Sequence, residues 1–171
     1  RAHYQDERVE TGAAGEVSDF NATIERKPDK GVITMKLDFH VPGRKARNEI
    51  DGRVHGKTGD IEVRFHLERL PLAPYAAVLP KSIAVHSGSA ILDTNVTVRY
   101  NALDRKVELE GKTDIVQLDI LLPPVSRHVI SGLDVTAGGR VELDLKRQRL
   151  VVDEGELSAG KVHMLIDGSI T

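Results

Sequence analysis

Apolar and polar residues alternate along most of this chain. Between residues 32 and 41, Ile33, Met35, Leu37, Phe39 and Val41 share one parity, while Thr34, Lys36, Asp38 and His40 share the other. Successive side chains of a strand point to opposite faces, so this spacing predicts a strand with one dry and one wet face. The pattern returns over residues 60–68, where Ile61, Val63, Phe65 and Leu67 oppose Glu62, Arg64, His66 and Glu68, and over 90–100, where Leu92, Val96, Val98 and Tyr100 align. Further strands are predicted at 105–113, 116–122, 140–146, 149–153 and 161–170. Turn chemistry separates them at Pro42-Gly43, Lys57-Thr58-Gly59-Asp60, Asn101-Ala102-Leu103-Asp104, Ala137-Gly138-Gly139 and Ala159-Gly160. The predicted fold class is therefore mainly β: an antiparallel meander forming a curled sheet or a sandwich.

Two segments break the alternation. Between Pro71 and Pro80, Leu72, Tyr75, Ala76 and Leu79 fall at helical spacing, which predicts one short helix near residues 74–79 that plugs an end or edge of the sheet. The run Leu122-Pro123-Pro124-Val125-Ser126-Arg127-His128 reads as a loop or a single helical turn. The hairpins at 90–122 and 140–170 resemble each other about 44 residues apart. They are expected either to be a repeat or to share only the likeness of all amphipathic hairpins.

The 171 residues suffice for a single β-rich domain, 1–171, and the start at Arg1 without a methionine leads us to expect a mature or truncated chain, a fragment of a longer protein. Aromatic residues make up only 4% of the chain, so any core rests on valine, leucine and isoleucine. Lysine and arginine number 24 against 26 acidic residues, interspersed and without a basic stripe, which argues against nucleic acid as a partner. The longest apolar runs, such as 120–125, fall far short of the roughly 20 residues of a spanning helix, so no transmembrane segment is expected in this chain. With no cysteine, disulfides, thiolate metal sites and a cysteine nucleophile are excluded.

Candidate chemistry is sparse. Ser158-Ala159-Gly160-Lys161 and Lys57-Thr58-Gly59 match fragments of penicillin-binding enzymes, but their order is reversed and the serine falls in a predicted hairpin rather than at a helix start. His55-Gly56-Lys57-Thr58 resembles the end of a phosphate-binding loop, yet Asp51 stands where the first glycine belongs, so a charged turn is expected. The seven histidines, His3, His40, His55, His66, His86, His128 and His163, lack metal-ligand spacing. Glu62, Glu68, Glu108 and Asp144 fall on solvent parities, and nothing singles out a carboxylate pair for glycoside chemistry. Asn21-Ala22-Thr23 and Asn95-Val96-Thr97 match the glycosylation sequon, which arises readily by chance. No catalytic residue, metal site or cofactor is expected within the chain.

The run Leu70-Pro71-Leu72-Ala73-Pro74-Tyr75-Ala76-Ala77-Val78-Leu79-Pro80, then Ser87-Gly88-Ser89-Ala90-Ile91-Leu92-Asp93 and two-strand units ending in Glu110-Gly111-Lys112-Thr113-Asp114-Ile115, resembles the AsmA/TamB-like proteins of the Gram-negative envelope. The resemblance covers residues 67–170 and rests on one helix-strand pattern. It implies a long curled sheet with an apolar concave face, a role in outer-membrane integrity and phospholipid passage, and a periplasmic location tethered to the inner membrane by a segment outside this chain. Related segments also accompany peptidoglycan glycosyltransferases. The Glu-Asp-x-x-Phe signature of those enzymes is absent here, so the chain could be an accessory or spacer domain of one but not its catalytic part.

A lipid-contacting surface needs an apolar face and no catalytic group. Leu37, Phe39, Val63, Phe65, Val98 and Leu143 are the candidate residues of that face, as a groove or as a closed core. The leading expectation is a non-catalytic envelope scaffold or lipid-contacting module, with lipid acyl chains or other envelope modules as partners. The alternatives are the accessory domain just described and an enzyme with a carboxylate site built from loops.

Overall fold

The computed structural model describes residues 2–6, 13–27, 31–41, 45–73, 84–85, 90–121 and 128–171. They form strands β1 (Ala2–Asp6), β2 (Ala13–Lys27), β3 (Val32–His40), β4 (Arg47–His55), β5 (Ile61–Pro71), β6 (Ala84–Val85), β7 (Ile91–Asn101), β8 (Lys106–Leu121), β9 (Ile130–Asp144), β10 (Arg149–Ala159) and β11 (Val162–Ile170). All pairings are antiparallel, and strands follow chain order from β1 to β11, except that β6 lies off the path and pairs with the end of β8. The meander read from the alternation is therefore the fold. β1 and β11 stand at opposite edges of the sheet, so it is open and not a barrel.

A sandwich is not what forms. Extensive contacts run only between strands paired in the ladder, with no second sheet layered on the first among the described residues. Two hydrogen-bonded layers would need strands that leave the ladder, and successive hairpins keep each strand beside its predecessor. The helix expected at 74–79 and the turn at Pro42-Gly43 lie outside the described residues, as does most of the loop at 122–128.

Several boundaries differ from the pattern. The segments predicted separately at 105–113 and 116–122 are one strand, β8, in which a register shift separates Ile115 from Leu118. Gln117 takes φ 56° there, and its N–H donates to Asp134 Oδ1 at 3.0 Å. An extra residue in the left-handed region is a β-bulge, which resets parity and mimics a strand end in the sequence. Related shifts surround Asp19 in β2, Arg69 in β5 and Glu154 in β10, all with positive φ. The Arg69 N–H is held by Asp93 Oδ1 at 2.9 Å.

The predicted turn at Ala137-Gly138-Gly139 is also corrected. These residues continue β9, which starts at Ile130, ten residues before the predicted boundary. Gly139 (φ 125°) pairs with Gly111 (φ 148°) across the β8–β9 ladder. A Cβ on Gly111 would collide with the Asn95 carbonyl oxygen, and one on Gly139 would come within 2.8 Å of the Glu154 oxygen. These glycines serve close strand approach, not chain reversal.

Among the described residues the closed core is a small cluster at the end of the sheet where the crossover from β5 to β7 returns. Ala90, Leu118 and Ile120 are buried there, with Leu72, Ile115, Ile130, Leu133 and Val135 packed against them. The Leu72 N–H donates to the Ala90 carbonyl at 2.9 Å, which fastens the crossover's two ends together.

Candidate functional site: an open apolar face

Strand register assembles the alternating residues into rows. One row crosses the sheet as Ile24, Met35, Gly52, Val63, Val98, Leu109, Val141 and Val152, each paired with the next. A second runs Ile33, Val54, Ile61, Tyr100, Val107, Leu143, Leu150 and Ile170. A third runs Ala22, Leu37, Ile50, Phe65, Val96 and Gly111. Side chains of paired residues project to the same side, so the three rows form one apolar face.

All six candidate residues fall on this face. Val63 and Val98 are direct partners, Leu37 and Phe65 flank Ile50, and Leu143 lies between Val107 and Leu150. Phe39 pairs with Asn48 and is buried, while the other five are half-buried. Much of the face remains in contact with solvent: Met35 is 44% exposed and Leu109 42%, and Ile33, Val54 and Ile61 are similar.

The alternation missed β4, whose face residues are Asn48, Gly52 and only two large aliphatics, Ile50 and Val54. The signal that marks it is its place between two predicted strands, since an open β3 edge beside β5 would be left without a partner. Asn48 is fully buried on the apolar face; its Oδ1 accepts the Glu68 N–H at 2.9 Å, and its Nδ2 finds no partner.

The opposite face carries ion pairs. Arg99 donates to Glu110 at 2.9 Å and to Glu62 at 3.3 Å, and Arg64 reaches Glu62 at 2.9 Å. Arg140 approaches Glu108 at 3.3 Å, Lys106 holds Glu142 at 2.8 Å, and Arg47 bridges Asp38 and Glu49 at 3.1 Å each. Cross-strand charges of opposite sign support register, although each exposed pair contributes only about 0–1 kcal/mol.

Their titrations suit ion pairing. The Arg99 guanidinium, by hydrogen bond and charge, holds Glu110 below the usual carboxylate range. The Thr58 hydroxyl and the Ala102 N–H lower Asp60, and the Arg147 and Lys146 N–H groups lower Asp144 against the opposing effect of burial. For Asp38, burial pushes upward but is outweighed by Asn21 and Arg47. Glu142 in turn raises Lys106. A shallow depression of about 380 Å³ gathers Glu62, Arg99, Lys106, Glu108 and Glu142, and these pair with one another across it.

Other sequence fragments fall where the pattern puts them. Gly160-Lys161 is the two-residue turn of the β10–β11 hairpin, and His55-Gly56-Lys57-Thr58 begins the β4–β5 turn. Asp144, expected on a solvated face, is instead buried at a hairpin end, where its Oδ1 accepts the Lys146 and Arg147 N–H groups at 3.0 and 2.9 Å. Among the described residues no cluster of three or more histidine and acidic side chains is arranged to hold a metal, and no helix is long and apolar enough to cross a membrane. No protein-family model, curated protein or solved structure matches the chain.

Proposed function

We propose that this chain is a non-catalytic, AsmA-like module of a Gram-negative envelope that offers its apolar face to lipid acyl chains, in the periplasm of a protein tethered to the inner membrane. The observation that carries the reading is the three-row apolar face spanning β2 to β10, over which no second layer lies among the described residues. Contiguous exposed apolar surface of this extent is costly in water and marks a site of contact with another apolar body. A chain that only spaced two domains would be expected to cover such residues or make them polar. The opposite face, built from ion pairs, supports a sheet with one lipid side and one aqueous side.

The test is native mass spectrometry after incubation with phospholipid vesicles, on the parent and on Met35→Asp and Leu109→Asp. Both sites are nearly half exposed, so the variants are expected to fold, as circular dichroism would check. Co-purifying phospholipid in the parent and its loss in both variants is the expected result. Absence of lipid from the folded parent removes the lipid-contact reading.

A further inference from the structure

We infer that the end of the sheet formed by the turns at 56–60, 102–105 and 145–148 docks on an anionic lipid bilayer; this rests on the lipid-contact reading above and assigns the end that meets the membrane. These turns alternate with those at the opposite end, so the meander gathers them on one rim. Backbone and side-chain hydrogen bonds join them. The Gly56 N–H donates to the Gly31 carbonyl at 2.7 Å, the Ala102 N–H to Asp60 Oδ1 at 2.9 Å, and the Leu145 N–H to the Arg105 carbonyl at 3.0 Å. Lys146 Nζ reaches the Leu103 carbonyl at 2.7 Å. The rim is thus a fixed surface rather than three independent loops.

Its charge contrasts with the rest of the molecule. Lys57, Arg105, Lys146, Arg147 and Arg149 are all exposed on it. Against these five cations the three turns and their flanks set three carboxylates, Asp60, Asp104 and Asp144, of which Asp60 and Asp144 also accept backbone N–H groups of the neighbouring or same turn, so an excess of positive charge remains. At the far end Glu68, Asp93, Asp114, Asp119 and Asp134 stand with Lys45, Arg47, Arg69, Lys112 and Lys161, so no cationic excess arises there, and the whole chain has a formal net charge of -2. A basic rim on an acidic protein is complementary to anionic headgroups.

Two leucines stand among those cations. Leu103 is 81% exposed at one hairpin tip, and Leu145 is exposed at the next. A leucine at a turn tip contributes nothing to a core, whereas leucines set between lysines and arginines match a headgroup–acyl boundary. The row Ile33, Val54, Ile61, Tyr100, Val107, Leu143 and Leu150 lies next to these turns, so a bilayer against the rim would meet the start of the apolar face.

The experiment is co-sedimentation of the 171-residue chain with vesicles of phosphatidylglycerol and phosphatidylethanolamine, against vesicles of phosphatidylcholine. Binding to the anionic vesicles is expected, weakened by salt. Near a charged membrane each basic residue strengthens binding by roughly fivefold, so the triple variant Lys57→Glu, Arg105→Glu, Arg149→Glu is expected to bind at least ~100-fold more weakly. Leu103→Ser is expected to lose roughly tenfold. Lys45→Glu with Lys161→Glu, at the far end, is expected to bind like the parent. Parent-like binding by the folded triple variant, equal loss in the far-end variant, equal binding to phosphatidylcholine, or capture by heparin without vesicle binding would each overturn the assignment. Retention of lipid taken from detergent micelles, scored on the same proteins, separates the two claims. Lipid uptake without sedimentation removes the docking end alone, and sedimentation without lipid retention removes the acyl-contact reading alone.

Discussion

The cluster of Ala90, Leu118 and Ile120 and the middle of the apolar face are made of the same kinds of residue on the same alternating strands, yet one is closed and the other open. Leu118 is 6% exposed and Leu109, nine residues earlier on the same strand, is 42% exposed. The difference is the cover. At Leu118 the crossover supplies Leu72, Ala90 and the β6 pairing, whereas over Leu109 no described element lies. Alternation encodes which side of a strand avoids water, and a separate piece of chain decides whether that side is buried by the protein or left for another body.

The sharpest way to break this comparison is a pair of truncations. Leu118→Ala removes atoms from a packed site and is expected to cost about 3 kcal/mol, while Leu109→Ala is expected to cost about 1 kcal/mol or less, both read from urea unfolding followed by circular dichroism. Equal costs would mean that the face at Leu109 is covered in solution. A pair of glycines gives the next largest contrast. Gly111→Ala meets both an unfavourable φ and the Asn95 carbonyl, and an expected loss of about 2–3 kcal/mol follows from strained backbone alone. Gly52→Ala adds a methyl on the open face, 3.4 Å from the end of the flexible Met35 side chain, and is expected to be near neutral.

A smaller effect is expected at Asn48, which is buried on the same face beside its partner Phe39. Asn48→Ala leaves the Glu68 N–H without its acceptor but also removes the unpartnered Nδ2, so the net loss is expected to be about 1 kcal/mol, measured as a shift in the urea midpoint at unchanged slope. The mildest test concerns acid. Glu110, Asp60 and Asp144 have folded values below their ordinary ones, so their stabilising contribution is present above the ordinary carboxylate range and is lost as pH falls through the lowered folded values. Thermal midpoints are expected to drop over that window, with Asp60→Asn and Asp144→Asn each flattening the dependence. A midpoint that does not move would show that these turns are held by other contacts.

Much of the fold was legible because a half-buried strand writes its two faces directly into residue parity. β3, β5 and β7 were readable in this way, and so were the turns at 57–60 and 101–104. Bulges defeated the reading wherever they reset the parity: Gln117 divided β8 in two, and Glu154 hid the second half of β10. Gly138-Gly139 carried the chemistry of a turn and the function of a close strand contact, a distinction that depends on the neighbouring Gly111 and Glu154. Of the candidate face, all six residues were chosen by parity and share one side, but β4 and the row through Leu109, Val141 and Val152 became visible only through register.

By itself, then, the sequence determined that the chain forms amphipathic antiparallel strands in succession, because alternation and turn chemistry are local properties. Only the tertiary structure decided that those strands make one open sheet with no second layer among the described residues, that the apolar rows align across β2 to β10, and that basic turns collect at one end. Register, cover and the meeting of distant turns arise from pairing between strands, which no local pattern contains.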